Sequence, residues 1–481
     1  MRASAEAGDT LFDKEIKGFS IDSRAVAPGE LFFALSPEDY RRHCFTATSF
    51  ADAHLFIPQA LEHGAVAVVA RGERVRGDAE LERVGDRLLL VEDVIEALQI
   101  LARGVIERWG GPVVGITGSA GKTTTKDLTA HVLGVAGRRV LRSKKNFNNE
   151  LGVALSVLQM ETAGAQPEDF DVAVLEMGMS MPGEIARHCL VAPPDIGVEL
   201  IVAPVHLEFM GSIESIAEGK AQLIEGLKQG GTAVLNADDE RVAAMRSRHT
   251  SGETLTYGFR NAADVTASEI DNTAFGLTRF LLRTPRGSAR VELPMPGTHN
   301  LTNALAAASV ATCFGIAPDE IARALGTAAP SEMRGEVLRF AEGITVVDDS
   351  YNSNPRSLVS MAEALAHGGE AVTRRIAVAG EMLELGEESA AIHREVGREI
   401  AGLGIDVLWG VRGHARDLID GARAAGMSEE ATSFFETSEA AADALSGFIR
   451  TGDLVLVKGS RGVHTEKVVE RLRQRYEPGE K

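Results

Sequence analysis

The chain has 481 residues, more than one hydrophobic core holds, so two or three domains are expected. Its 44% hydrophobic and 25% charged residues are an ordinary globular mixture. A formal net charge of −19 argues against nucleic acid or an anionic membrane as partner, while leaving room for a local basic pocket that takes anionic small molecules. Cys44, Cys189 and Cys313 are far apart, lack metal-ligand spacing, and read as free thiols of a reducing cytoplasm. The opening "MRASAEAGDTLFDKE" lacks the apolar centre of a signal peptide, and no apolar run is long enough to cross a bilayer.

In chain order, "ELFFAL" and "AVAVVA" are short strands among helical stretches, as far as about residue 108. "DVIEALQILARGVIERW" is an amphipathic helix that stops at the break "GGP", residues 110–112. Strand and helix then alternate. "VVGIT" is a strand, "TTTKDLTAHVLGVAG" a helix, "DVAVLEMG" and "IGVELIVA" are strands, "SIESIAEGKAQLIEGLKQG" is a helix and "GTAVLNAD" a strand. This order predicts a parallel sheet covered by helices. A strand-rich patch follows, from "TLTYGF" to "RVELPMPG", and then the small-residue helix "THNLTNALAAASVATCFG". "APSEMRGEV" reads as a linker, after which "GITVVDDSY", "RRIAVAGEM", "IDVLWG" and "DLVLVKGS" alternate with helices as a second α/β unit. The expected fold class is α/β with three domains, residues 1–108, 109–330 and 331–481.

The stretch "GITGSAGKTTTK", Gly115 to Lys126, carries the sharpest chemical signal. A strand runs into a glycine-containing loop and then a helix, so loop amides and a helix N-terminus form a cradle for phosphate. Lys122 would neutralise the outer phosphates and the Thr123 hydroxyl would ligate Mg²⁺. The strict spacing of the motif asks for glycine at position 116, where this chain has Ile116. Glu176 ends the strand "DVAVLEMG", where ligands of open parallel sheets gather, and a carboxylate there is placed to hold a nucleotide's metal. His206 follows another strand; it is either a hydrogen-bonded loop residue or a further metal ligand. Lys220 lies in the middle of the apolar stripe made by Ile213, Ile216, Ala217, Leu223, Ile224 and Leu227. An inward lysine is paired, deprotonated, chemically modified, or snorkels out. In the last third, Asp348 and Asp349 end one strand, and Lys458, Ser460 and Arg461 end another. "YNSNP", with Asn352 and Asn354, is either a structural turn or part of a site.

Taken together, "SIDSRAVAPGELFFAL", "GITGSAGKTTTK", "KNFNNELGVALSVL", "LEMGMSMPGEI", "HLEFMGSIESIAEGK", "GTHNLTNALAA", "DDSYNSNP", "GEMLELGEES" and "VKGSRG" resemble the Mur ligase family, the ATP-dependent amino acid and peptide ligases of peptidoglycan synthesis. The resemblance runs from about residue 20 to residue 470. "GEMLELG" and "DDSYNSNP" point to the branch that attaches D-alanyl-D-alanine to a UDP-N-acetylmuramoyl-tripeptide.

The resemblance implies a central P-loop domain, a C-terminal Rossmann-like domain and an N-terminal domain holding the UDP part of the substrate with Ser23 and Arg24. It implies ATP held by Gly118, Ser119, Ala120, Gly121, Lys122, Thr123 and Thr124. Asn300, Arg334 and Asp349 would contact the nucleotide, the latter two brought in by domain closure. Thr123, Glu176 and His206 would hold Mg²⁺, with Lys220 joining them if it is carbamylated. Lys122, Lys220, His206 and Glu176 are thus the expected catalytic set, and Asn352, Asn354, Lys458, Ser460 and Arg461 are expected at the other substrates. A cytoplasmic monomer is implied. The chain departs from the usual family pattern at Ile201, where asparagine is common, at Gln222, where a glutamate follows the lysine, and in the stretch "SPEDYRRHCFTATSFADAHLF".

Overall fold

The computed structural model describes residues 14–43, 45, 51–144, 147–205, 207–272, 275–369 and 372–479. The chain divides into two compact units. The first comprises Met1–Ile116, Gly137–Gly197 and Gln222–Gly231; the second comprises Thr117–Ala136, Val198–Ala221 and Thr232–Lys481. The expected boundaries at residues 108 and 330 fall inside the first and second units respectively. Among the described residues, no helix is long and apolar enough to cross a membrane.

In the first unit, β1 (Gly18–Ser20), β2 (Glu30–Phe33), β3 (Ala67–Arg71) and β4 (Leu88–Val91) form a parallel sheet in that order. The helix Val94–Trp109 follows. Asp93 caps it by accepting from the Glu96 amide, and Gly110, at φ +68°, closes it. Its apolar stripe, including Val94, Leu98, Val105 and Ile106, is buried as the helical spacing requires. Strands β5 (Val113–Thr117), β6 (Val140–Arg142) and β7 (Val172–Glu176) pair in parallel, with β7 between the other two. Every residue of β5 and of β7 is buried, which is why both read as continuous apolar runs.

β8 (Ile196–Glu199) runs from the first unit into the second, and β8, β9 (Thr232–Asn236), β10 (Glu253–Gly258), β11 (Val265–Asp271), β12 (Thr278–Thr284) and β13 (Gly287–Leu293) are neighbours in that order. β9, β10 and β11 run parallel, while β11, β12 and β13 form an antiparallel meander. The strand expected over "IGVELIVA" ends at Glu199. Beyond it Leu200 donates to the Thr117 carbonyl and Ile201 accepts from the Ser119 amide, so this segment follows the loop after β5.

The C-terminal sheet has β14 (Glu336–Arg339), β15 (Thr345–Asp349), β16 (Arg374–Gly380), β17 (Val407–Val411), β18 (Thr432–Phe435) and β19 (Asp453–Lys458), ordered β14-β15-β19-β16-β17-β18. All pairings are parallel except β14 with β15. Alternate residues fill two apolar layers. Val346, Ile376 and Val455 face one; Val347, Ala377 and Leu454 face the other. Both faces are covered, as in a doubly wound sheet. The tail of the expected linker "APSEMRGEV" is a correction: Glu336 and Val337 begin β14, a short antiparallel edge strand whose partner supplies the order that its own mixed composition does not.

Candidate active site

The loop after β5 is shaped by two glycines. Gly118, at φ +154°, would place a Cβ 2.7 Å from the Leu200 Cβ. Gly121, at φ +84°, would place one 2.3 Å from Asn303 Oδ1. Neither position accepts a side chain, so the backbone lies open along this turn. Gly121 caps the helix Lys122–Val135, whose first turn directs free amides toward the loop. The Lys122 ammonium donates to the Gly118 carbonyl at 2.9 Å, folded over that turn. The Ser119 hydroxyl donates to the Ala203 carbonyl and accepts from the Ala203 amide, each at 3.0 Å, so its side chain pins the loop to the segment after β8. Ala120 completes the loop, and Thr123 and Thr124, at the start of the helix, are buried. The Thr125 hydroxyl donates to Asn303 Oδ1 at 3.3 Å, and Asn303 donates to Asn300 Oδ1 at 3.4 Å. Asn303 was not expected from the sequence, although "THNLTN" places it three residues after Asn300, on the same helix face.

Behind the loop lies a group of buried charges. Lys220, in the helix Ile213–Glu225, is 2% exposed, beside the fully buried Ile216 and Leu223. The inward placement read from the helical stripe is therefore what the structure has, and the snorkelling alternative falls. Glu199, at the end of β8, is fully buried, and neither carboxylate oxygen has a hydrogen-bond partner among the described residues. Burial pushes the Lys220 amine down from the usual lysine range; Lys122 pushes the same way and Glu199 opposes. Burial pushes the Glu199 carboxyl up, opposed by Lys220 and Lys122 and reinforced by Asp239. Asp239 accepts from the Val202 amide at 3.1 Å, and the Tyr257 hydroxyl donates to the Glu199 carbonyl at 3.0 Å, so backbone contacts fix this strand end. Glu199 also escaped the sequence reading; its one signal is an acidic residue inside the otherwise apolar run "IGVELIVA".

The residues expected at the nucleotide from the last third lie in this same unit. Asn300, 3% exposed in the first turn of Thr298–Cys313, donates to the Pro296 carbonyl at 2.8 Å. Arg334 stacks on the Tyr351 ring at 4.0 Å, and Arg461 lies over the same ring at 5.9 Å. Register pairs Asp349 with Lys458 across β15 and β19, and the Lys458 ammonium donates to Asp349 Oδ2 at 2.6 Å and to the Asn352 carbonyl at 2.8 Å. Burial drives the neighbouring His299 imidazole down to about 4, against the pull of Asp349, so it is neutral at physiological pH. Burial likewise raises the Asp348 carboxyl to about 6, against the Ser350 hydroxyl. The Ser460 hydroxyl donates to the Ser353 carbonyl and accepts from the Leu383 amide, joining "YNSNP" to "GEML". Asn354 caps the helix Pro355–Ala366 in a reciprocal box with Ser357, and the Asn352 side chain accepts from the Ser353 amide. Turn and cap chemistry thus accounts for both asparagine side chains. Arg461 is exposed and donates to Glu466 at 3.1 Å.

In the first unit, register sets Glu176 opposite Ile116, two residues before Gly118. Glu176 is 1% exposed and accepts from Asn148 Nδ2 at 2.7 Å, while its amide donates to the Ser143 hydroxyl. Asn148 packs so closely on Gly178 that a Cβ there would meet it at 2.8 Å, an arrangement with no sequence signal beyond the motif "NFNNE". The Ser23 hydroxyl donates to Gln59 Oε1 at 3.0 Å; Arg24 is exposed and paired with Asp22 at 2.8 Å. His206 lies outside the described residues.

Residues 116–311 match the Mur ligase middle domain, and residues 333–461 match the Mur ligase glutamate ligase domain. A relative from Synechocystis sp., UDP-N-acetylmuramoyl-tripeptide–D-alanyl-D-alanine ligase, is 33% identical over 96% of this chain and 92% of its own. The crystal structure of MurF from Acinetobacter baumannii superposes with a TM-score of 0.82 at 28% identity, covering 95% of this chain and 94% of that one. The MurF ligase from Thermotoga maritima, solved in complex with ADP, superposes with a TM-score of 0.79 at 30% identity, covering 97% of this chain and 99% of that one. With a phosphate-type loop in place and likeness extending from end to end, the chain belongs to the Mur ligase family.

Proposed function

We propose that this protein joins D-alanyl-D-alanine to UDP-N-acetylmuramoyl-tripeptide, converting ATP to ADP and phosphate and giving the pentapeptide precursor of peptidoglycan. The observation that carries the reading is the cradle after β5, where Gly118 and Gly121 exclude side chains and Lys122 lies over the turn. It occurs in a chain that is one-third identical, over 96% of its length, to a ligase named for that reaction. The terminal carboxylate of the tripeptide attacks the γ-phosphorus, and the bond to the ADP oxygen breaks. The resulting acyl phosphate is attacked by the dipeptide amine; the amine loses its proton, the carbon–oxygen bond to phosphate breaks, and the amide remains.

In this reading residues 1–108 hold the UDP end with Ser23 and Arg24, residues 109–330 hold ATP through Gly118 to Thr124, and residues 331–481 complete the site. Lys122 neutralises charge on the transferring phosphoryl group. Asn300, Arg334 and Asp349 contact the nucleotide, while Asn352, Asn354, Lys458, Ser460 and Arg461 lie toward the other substrates. Thr123, Glu176, His206 and, if it is carbamylated, Lys220 would hold Mg²⁺; a hydroxyl and carboxylate-type oxygens are the hard donors that this ion selects. When bound, Mg²⁺ supplies neutralisation of the phosphate oxygens. The enzyme acts as a monomer in the cytoplasm, where ATP is available. A coupled ADP-release assay that omits each substrate in turn tests the reading. Turnover is expected only with ATP, tripeptide and a D,D-dipeptide together; equal turnover with single amino acids would assign the chain to another branch of the family.

A further inference from the structure

The segment that leads into β14 is held from several sides. The Ser331 hydroxyl donates to Asp127 Oδ2 at 2.6 Å, in the helix that leaves the phosphate loop. A Cβ on Gly335 would lie 3.7 Å from Asn300 Nδ2, so that glycine packs on the asparagine pair that meets the same helix. Between these anchors the backbone is left-handed twice, at Met333 with φ +58° and at Gly335 with φ +78°. A residue as bulky as methionine holds that conformation only where its neighbours over-determine it. One such neighbour is Tyr351, whose amide donates to the Met333 carbonyl at 3.2 Å. Arg334, flanked by the two left-handed residues, is turned onto the Tyr351 ring.

Two guanidiniums share this ring. Arg334 lies 4.0 Å from its centroid and Arg461 5.9 Å, and Arg461 Nη1 comes within 3.9 Å of the Met333 sulfur. Arg461 has a counter-ion in Glu466 at 3.1 Å. The Arg334 guanidinium has no ion pair among the described residues, so the negative face of the ring is what offsets its charge. The ring follows β15 and Arg461 follows β19, two strands that pair in parallel through Asp349 and Lys458. Tyr351 thus stands between a segment tied to the phosphate-loop helix and the end of β19.

We propose that Tyr351 is a positioning residue for two substrates at once: its ring sets Arg334 toward the ATP phosphates and Arg461 toward the carboxylate of the dipeptide. The inference rests on the proposed placing of Arg334 at the nucleotide and Arg461 at the other substrates, and it names the dipeptide as the one Arg461 takes. A guanidinium grips a phosphate or a carboxylate through paired, coplanar N–H donors, and a stacked ring fixes that plane before the anion arrives. Because both cations lean on one ring, disturbing the ring disturbs both sites.

The test is steady-state ADP release by the full-length protein, with ATP, D-alanyl-D-alanine and UDP-N-acetylmuramoyl-tripeptide varied in turn. Tyr351→Phe keeps the ring and its negative face; pentafluorophenylalanine at the same position keeps the ring outline and removes that face. Relative to Tyr351→Phe, the fluorinated protein should raise KM for ATP and for the dipeptide together, each about three- to tenfold, the range of a contact between a cation and a ring. KM for the tripeptide should stay within about twofold, since only substrates that lose a contact lose binding. A ring that merely fills space would leave all three values unchanged; that result, or a rise for one substrate alone, would overturn the proposal and leave the placing of the arginines intact. Arg334→Ala and Arg461→Ala give a second reading that needs no ring variant. Each should raise KM for its own substrate on the order of tenfold and for the other about threefold, because the ring loses one of the two cations it holds in register. Effects confined to each arginine's own substrate would overturn the sharing, and no effect on either KM would overturn the placing of the arginines as well.

Discussion

Two buried pairs of opposite charge, Asp39 with Arg71 and Glu199 with Lys220, are almost equally hidden: the carboxylates are fully buried and each cation is 2% exposed. Their surroundings differ completely. Asp39 accepts from the Ser36 amide at 2.8 Å and hydroxyl at 2.6 Å, from the Val94 amide at 3.1 Å, and from the Arg71 guanidinium. That carboxylate ties the helix Pro37–Arg42, the end of β3 and the start of the helix Val94–Trp109 together. Among the described residues, Glu199 accepts nothing. Burial alone therefore does not mark a functional charge; a buried carboxylate with neither oxygen partnered among the described residues is the one that calls for an explanation.

The comparison is most sharply broken through chemistry. Lys122→Ala is expected to lower ADP release by on the order of 10³-fold, as for loss of a charge aimed at a transition state, with the unfolding midpoint unchanged. Near-normal turnover in that variant would remove the loop from the reaction. Next in size is stability. Asp39→Asn leaves the Arg71 guanidinium buried without its anion, and denaturant unfolding should show a loss of about 3–5 kcal/mol. Glu199→Gln leaves Lys220, whose amine burial already pushes down and which can shed its proton where a guanidinium cannot, so the loss there should be smaller, about 1 kcal/mol. Equal losses at both sites would mean that the two carboxylates do the same structural work.

Lys220→Ala should reduce turnover by on the order of 10²-fold with little change in stability, and short carboxylic acids should partly restore the rate, since the missing group is carboxylate-like. Lys220→Arg should stay inactive, because a guanidinium keeps its charge and its donors. Active Lys220→Arg with no rescue of Lys220→Ala would leave the lysine a plain buried cation.

The smallest expected effect concerns a third buried cluster, around His43. Burial pushes its imidazole down, but hydrogen bonds to Asp93 and Glu150 more than offset this and raise it to about 9. The folded value lies above the unfolded 6.5, so the pairing stabilises fully below pH 6.5 and its contribution is lost as pH rises through about 9. His43→Gln should therefore be less stable than wild type at pH 6, with the gap closing by pH 10; a pH-independent gap would show that His43 acts through packing alone.

Much of this was legible in the sequence, for stated reasons. β5 and β7 are buried on both faces and so read as apolar runs, the helix Val94–Trp109 carries its cap and its stop, and the stripe on Ile213–Glu225 disclosed Lys220. β14 was hidden in an apparent linker because an edge strand takes its order from a partner elsewhere in the chain, as Glu336 pairs with Asp348 and Arg339 with Thr345. Glu199 and Asn148 were hidden for a related reason. Each matters through its surroundings in the fold, a buried strand end in one case and Glu176 in the other, and no local spacing records that. The turn residues Asn352 and Asn354 were ambiguous in the sequence, and their side chains turn out to serve the turn and the helix cap.

The central claim is that ATP activates the carboxylate of the tripeptide for attack by the dipeptide amine. Its most direct test is to supply UDP-N-acetylmuramoyl-tripeptide with oxygen-18 in the terminal carboxylate, together with ATP and D-alanyl-D-alanine, and to weigh the phosphate released. An acyl phosphate predicts that the carboxylate oxygen leaves with phosphate, so that every phosphate formed with pentapeptide carries the label. Unlabelled phosphate, or ADP formed without pentapeptide, would contradict it.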